Sequence, residues 1–224
     1  DVYKRQGGTI LLEVFLYINP IGQRCLQSEK ALLKIIDEAD MNIHFKFIPV
    51  LNLQNVERYM QFQNLNRRDL DLRNHVFSTM YEAVLAYKAA TFQGSKKSQA
   101  FLMQLQQVFQ QPDTTLDTKL VLEIAEKAHL DTEMLLEDWH SDLTKQVFDS
   151  DQQLACEMNI KMTPSAVAFD YSKDDSEAGL LIENCDSYDL LKEVCSQGVS
   201  PEDTYQKLQK HKANVTKIAF RVLS

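Results

Sequence analysis

The residues with the most chemical promise are the cysteines, which stand at positions 25, 156, 185 and 195. A dithiol loop that runs thiol–disulfide exchange needs two sulfurs close in sequence. The first attacks as a thiolate, stabilised by the free N–H groups and dipole at a helix N-terminus, and the second resolves the mixed disulfide. Gly22-Gln23-Arg24-Cys25 stands where such a loop would stand, after an apolar run and an Asn19-Pro20 break, at the start of a helical pattern. It supplies only the second sulfur, because Gly22 fills the first position. Cys25 alone cannot complete an intramolecular dithiol cycle, although it could exchange as a single thiol. No two of the four cysteines have CxxC or paired-knuckle spacing, so they are expected to be reduced and packed as small apolar side chains, as in a reducing compartment.

Other reactive constellations are missing from the pattern. His44, His75, His129, His140 and His211 show no HExxH or comparable ligand spacing, and acidic helix faces such as Glu133 to Asp138 read as solvated surface. There is no Gly-x-Ser-x-Gly elbow, and the six glycines are too dispersed to cradle a phosphate. The sequence implies neither a metal nor a cofactor.

Bulk properties narrow the partners. The chain has 224 residues, 44% hydrophobic and 25% charged, which suits an ordered, helix-rich protein with a sizeable core. Asp and Glu outnumber Lys and Arg by 32 to 24, and no basic cluster stands beside stacking aromatics, so nucleic acid is not an expected partner. The longest apolar stretch falls well short of the ~20 residues a membrane helix needs, and no membrane association is expected. A cytoplasmic location is the expectation, in keeping with reduced cysteines. Residues 1–6 (DVYKRQ) resemble the translation of a sequencing adapter and are set aside from fold reasoning.

The elements that would position Cys25 can be read from periodicity. Ile10 to Ile18 is an almost continuous apolar run that suits a buried central strand. A helical stripe from Cys25 through Leu26, Leu32, Leu33, Ile36 and Ala39 follows, then a second strand at His44 to Val50. Residues 55–158 read as helices: Val76 to Tyr87, Phe101 to Phe109, Leu120 to Ala128, a short one capped by Asp131 and carrying Leu135 and Trp139, and one over Val147 to Met158. Strand character returns at Ser165 to Asp170 and Gly179 to Glu183, with Tyr171 to Glu177 as a hairpin loop. Asp186 or Ser187 can cap a helix through Val194 that stops at Gly198. Ser200-Pro201-Glu202-Asp203 signals a further helix to about Lys212, and Val215 to Leu223 alternates as a half-buried edge strand would, a strand that could also dock a partner.

The order β-α-β, helices, β-β-α is that of an α/β thioredoxin fold with a large all-helical insertion and a short C-terminal helix-strand extension. Residues 7–54 and 159–198 would form the α/β unit, 55–158 the insertion and 199–224 the extension. In that fold a proline directly before the third strand of the unit is cis and faces extended peptide, so Thr163-Pro164 is expected to be a cis-proline loop.

The segments LLEVFLYINPIGQRC, SEKALLKII, AYKAATFQGSKKSQAFLMQLQQVF, EIAEKAHLD, LLEDWHSD and DQQLACEMNIKMTPSAVAFD occur in an order that resembles the DsbA family. Within it, Ile18-Asn19-Pro20, Asp138-Trp139-His140-Ser141 and Glu157-Met158-Asn159-Ile160 resemble the SpxH (YjbH) group of Firmicutes. That resemblance implies an adaptor, with an Spx-type transcription regulator and the ClpX/ClpXP protease as partners. Gly22 departs from members of the group that keep a CxxC. The alternative is an enzyme: a DsbA-type oxidoreductase or isomerase using Cys25 alone, or a relative of glutathione-dependent kappa-class isomerases, with Asn19-Pro20 in the place of an activating Ser-Pro.

Overall fold

The computed structural model describes residues 12–39, 43–111, 114–171, 178–195, 205–206 and 215–219. The chain divides into two compact units, one of residues 1–18, 27–48 and 162–224, the other of residues 19–26 and 49–161.

The first unit is built on a five-stranded sheet. Its strands are β1 (Leu12–Ile18), β2 (Ile43–Pro49), β3 (Ser165–Asp170), β4 (Ala178–Glu183) and β5 (Val215–Ala219), in the order β2-β1-β3-β4-β5. The pairs β1–β3, β3–β4 and β4–β5 are antiparallel. Val14, Leu16 and Ile18 of β1 are fully buried, as are Val167 and Ile182 on the strands beyond it, which is why the run reads as nearly continuously apolar. Gly179 lies opposite Phe169, and a Cβ there would come within 2.6 Å of the Phe169 ring. The aromatic ring takes the space that a side chain on β4 would need.

Helix α1 (Gln23–Glu38) leaves β1 through the Asn19–Gly22 turn and buries Leu26, Leu32 and Ile35. It begins two residues before Cys25, the start suggested by its apolar stripe. Helix α8 (Tyr188–Val194) follows Ser187, whose side chain makes no capping bond; Leu191 and Val194 hold it by burial instead. Residues 205–206 are helical. Ile10, the 172–177 loop, Gly198, the Ser200–Asp203 signal and residues 220–223 of the last strand lie outside the described residues.

The second unit is helical: α2 (Leu53–Phe62), α3 (Leu70–Thr91), α4 (Ser95–Val108), α5 (Thr118–Lys127), α6 (Thr132–Trp139) and α7 (Asp142–Glu157). Asn52, Asp69, Asp117, Asp131 and Ser141 each accept a bond from the N–H three residues on, so five of these helices start at a side-chain cap. Helix α3 is the axis of the unit. It packs against α2, α4, α6 and α7, and every residue from Ala83 to Ala90 is buried. One of these is charged. Lys88 donates to Asp151 of α7 at 2.6 Å, with both side chains 3% exposed.

Candidate functional site

The loop from Asn19 to Cys25 is built from its own residue types. Asn-Pro-Ile-Gly has the acceptor, the fixed φ and the small fourth residue that a β-turn favours. The turn closes as the Gly22 N–H donates to the Asn19 carbonyl at 2.9 Å. Asn19 Oδ1 reinforces it by accepting from the Ile21 N–H at 3.0 Å. The Gly22 carbonyl then accepts the first α1 bond, from the Leu26 N–H, which places Cys25 in the first helical turn. Its sulfur folds back to accept the Asn19 N–H at 3.1 Å, and the residue is 2% exposed.

Helices α3 and α4 of the same unit hold the loop. Gln106 of α4, fully buried, donates from Nε2 to the Asn19 carbonyl at 3.1 Å, and Asn19 Nδ2 points at the Met80 sulfur of α3 at 3.9 Å. Sequence reasoning missed Gln106, Met80 and the Lys88–Asp151 pair. Only Lys88 left a signal, as a lone charge inside the apolar run Val84 to Ala90; Gln106 lies 87 residues from the carbonyl it serves.

Gly22 and Cys25 are brought together as a redox pair would be. A Cβ built on Gly22 lies 3.2 Å from Cys25 Sγ, near the about 3 Å that separates a Cβ from the far sulfur of a disulfide. The loop keeps the spacing of a dithiol and lacks one of its sulfurs. Gln23 and Arg24 are half-buried at the helix start.

The Thr163–Pro164 peptide, in the other unit, is cis. Both residues are buried, the Pro164 carbonyl accepts from the Cys185 N–H at 3.3 Å, and Ser28 of α1 donates to the Cys185 carbonyl at 2.9 Å. Ser165 donates to the Met162 carbonyl at 2.7 Å, closing the turn into β3.

The thiols divide. Cys25, Cys185 and Cys195 are buried, and burial pushes the Cys195 thiol up to about 12. The expectation that all four pack inside fails at Cys156, which is exposed. The buried stripe of α7 runs through Thr144, Phe148, Asp151 and Ala155, and the next residue is turned about 100° away from it. Among the described residues no group of three or more His, Cys, Asp or Glu could hold a metal, and no helix is long and apolar enough to cross a membrane.

The family model described as Thioredoxin matches residues 15–193. The chain belongs to the thioredoxin family. This thioredoxin-family chain is similar to proteins named ClpXP adapter protein SpxH. That of Bacillus subtilis is 25% identical over 207 residues, spanning 85% of this chain and 69% of its relative. That of Bacillus cereus is 28% identical over 214 residues, spanning 85% and 71%. Among solved structures, oxidised BdbD from Bacillus subtilis superposes with a TM-score of 0.57 at 17% identity, covering 90% of this chain and 89% of BdbD. The oxidoreductase NmDsbA1 from N. meningitidis gives 0.50 at 14% identity, covering 92% and 89%. These likenesses establish a DsbA-like fold, and the kinship with SpxH read from the sequence stands.

Proposed function

We propose that this chain is an adaptor of the cytoplasm that binds an Spx-type transcription regulator and hands it to the ClpXP protease, without running a dithiol cycle of its own. One observation carries the reading: relatives named for that adaptor role align along 85% of the chain. The loop supports it. Its one sulfur is buried and engaged by the Asn19 N–H, and its neighbour at the attacking position is glycine. An adaptor needs surfaces to grip two partners, and the helical insertion and the face near Pro164 are the candidate surfaces.

The test is a reconstituted degradation assay with regulator, ClpXP and this protein. Faster loss of the regulator on adding the protein is the expected result, and an unchanged rate sinks the reading.

The enzyme alternative finds little support in the loop. The Asn19 side-chain oxygen is engaged by Ile21, and Cys25 is sealed from solvent. Alkylation of the native protein followed by peptide mass analysis is expected to modify Cys156 well before Cys25 and Cys195. Rapid modification of Cys25 would revive monothiol exchange.

A further inference from the structure

The helical unit carries an exposed ridge that its own core does not explain. Four large apolar side chains stand out on the α2–α3 hairpin: Leu53 is 64% exposed, Phe62 53%, Leu70 59% and Phe77 36%. Single exposed apolar residues are ordinary, but several on one supersecondary unit mark an interaction surface. Leu70 and Phe77 are two turns apart and so share one face of α3. The Arg73–Glu57 pair, at 3.9 Å, ties that side of α3 to α2. A short link makes the two helices antiparallel, so one turn beyond the pair Leu53 of α2 falls level with Phe77 of α3. Leu53, Leu70 and Phe77 therefore line one side of the hairpin, whereas Phe62, half a turn round α2 from Leu53, stands out on another side near the tip.

Charge says what fits the hairpin. The chain carries a net charge of −8, yet residues 58–68, running to the hairpin tip, hold three arginines and no acid. At the tip Arg67 and Arg68 are exposed, and neither side chain makes an ion pair or hydrogen bond with the described residues. Asp69, just beyond, is spent as the cap of α3 through the Leu72 N–H at 3.0 Å. Two exposed guanidiniums at the tip and the apolar side formed by Leu53, Leu70 and Phe77 match a partner segment that is acidic at one end and apolar along its length. Arginine is also among the residue types that dominate binding energy at protein interfaces. A phosphate-rich surface fits less well, because Glu57 and Asp71 stand among the apolar residues.

We infer that the α2–α3 ridge is the docking surface for an acidic, apolar-anchored segment of the protein that this adaptor recruits. The inference rests on the adaptor reading and adds to it the place of contact and the chemistry of the partner. Charged tips steer encounter and make binding fall with salt, whereas the apolar side holds the complex once formed.

The experiment measures binding of the purified Spx-type regulator to the full chain by fluorescence anisotropy, at low and at physiological ionic strength, alongside the degradation assay. R67E/R68E and L70S/F77S are compared with the parent, each checked by circular dichroism and thermal melting because Phe77 is partly buried. Supporting results are binding that weakens with salt in the parent, a loss of about tenfold or more in R67E/R68E with a flatter salt response, and a comparable loss in L70S/F77S. If the parent binds and delivers the regulator and both folded variants do so equally well, the surface assignment is overturned and the adaptor reading survives. If the parent does neither, the adaptor reading falls and takes this inference with it. Binding of the parent to phosphatidylserine vesicles, lost in R67E/R68E while regulator binding is kept, overturns the inference in favour of a lipid surface.

Discussion

The Asn19–Cys25 loop and the α2–α3 hairpin belong to the same helical unit and treat their polar groups in opposite ways. In the loop the Asn19 N–H, its carbonyl and its side-chain oxygen each have a named partner, and the sulfur is shielded from water. On the hairpin two guanidiniums and four large apolar side chains face solvent. A reactive loop would show the reverse arrangement, with an accessible sulfur and no obvious use for an apolar ridge. The contrast is what the proposed adaptor role predicts, with a sealed loop and a recognition surface elsewhere in the helical unit.

The largest effect that can challenge this contrast lies deeper in the same unit. Asp151→Ala leaves the Lys88 ammonium buried without its carboxylate, and about 3–5 kcal/mol of stability should be lost, read as the shift in denaturant midpoint. The double variant Lys88→Met with Asp151→Leu should recover most of it, since the pair's attraction is offset by its desolvation. If both variants lose the same stability, the pair is not what holds α3 to α7.

A middle-sized effect probes the loop itself. Gly22→Cys should oxidise with Cys25 to an intramolecular disulfide, seen as loss of both thiols by mass and by thiol titration. Closing so short a loop is worth at most about 2 kcal/mol. The neighbouring Asn19 Cβ and carbonyl, at 3.1 and 3.2 Å from the new Cβ, must yield by a few tenths of an ångström. A variant that stays reduced under air would mean that the loop has lost dithiol geometry along with its sulfur.

The smallest effect concerns the ridge. Leu70→Ser should change stability by only about 0.5 kcal/mol in either direction, because this side chain, 59% exposed, buries little in the free protein. A large loss in the thermal melt would make the ridge part of the core and blunt the contrast.

The frame was legible wherever burial imposes periodicity. The apolar run ending at Ile18, the stripe of α1 and the strand Ser165–Asp170 each declare their partners by pattern alone. Capping chemistry was equally readable at Asp131, where side-chain type and position determine the hydrogen bond locally. Helix α2 was not resolved as a separate element, because among its apolar residues only Val56 and Met60 are buried and Leu53 and Phe62 point outward, which erases the stripe. The ridge escaped notice for the same reason: exposed apolar residues carry no period. The clamp on the loop was invisible because its bonds join residues far apart in the chain, which no local pattern encodes.

The Gln106 bond to the Asn19 carbonyl has a further consequence for how the protein breathes. Residues 19–26 follow β1 directly in the chain, yet they group with the helices. Amide protons of the turn should therefore exchange with solvent together with those of α3 and α4, in one cooperative opening, and out of step with the strand that ends one residue earlier at Ile18.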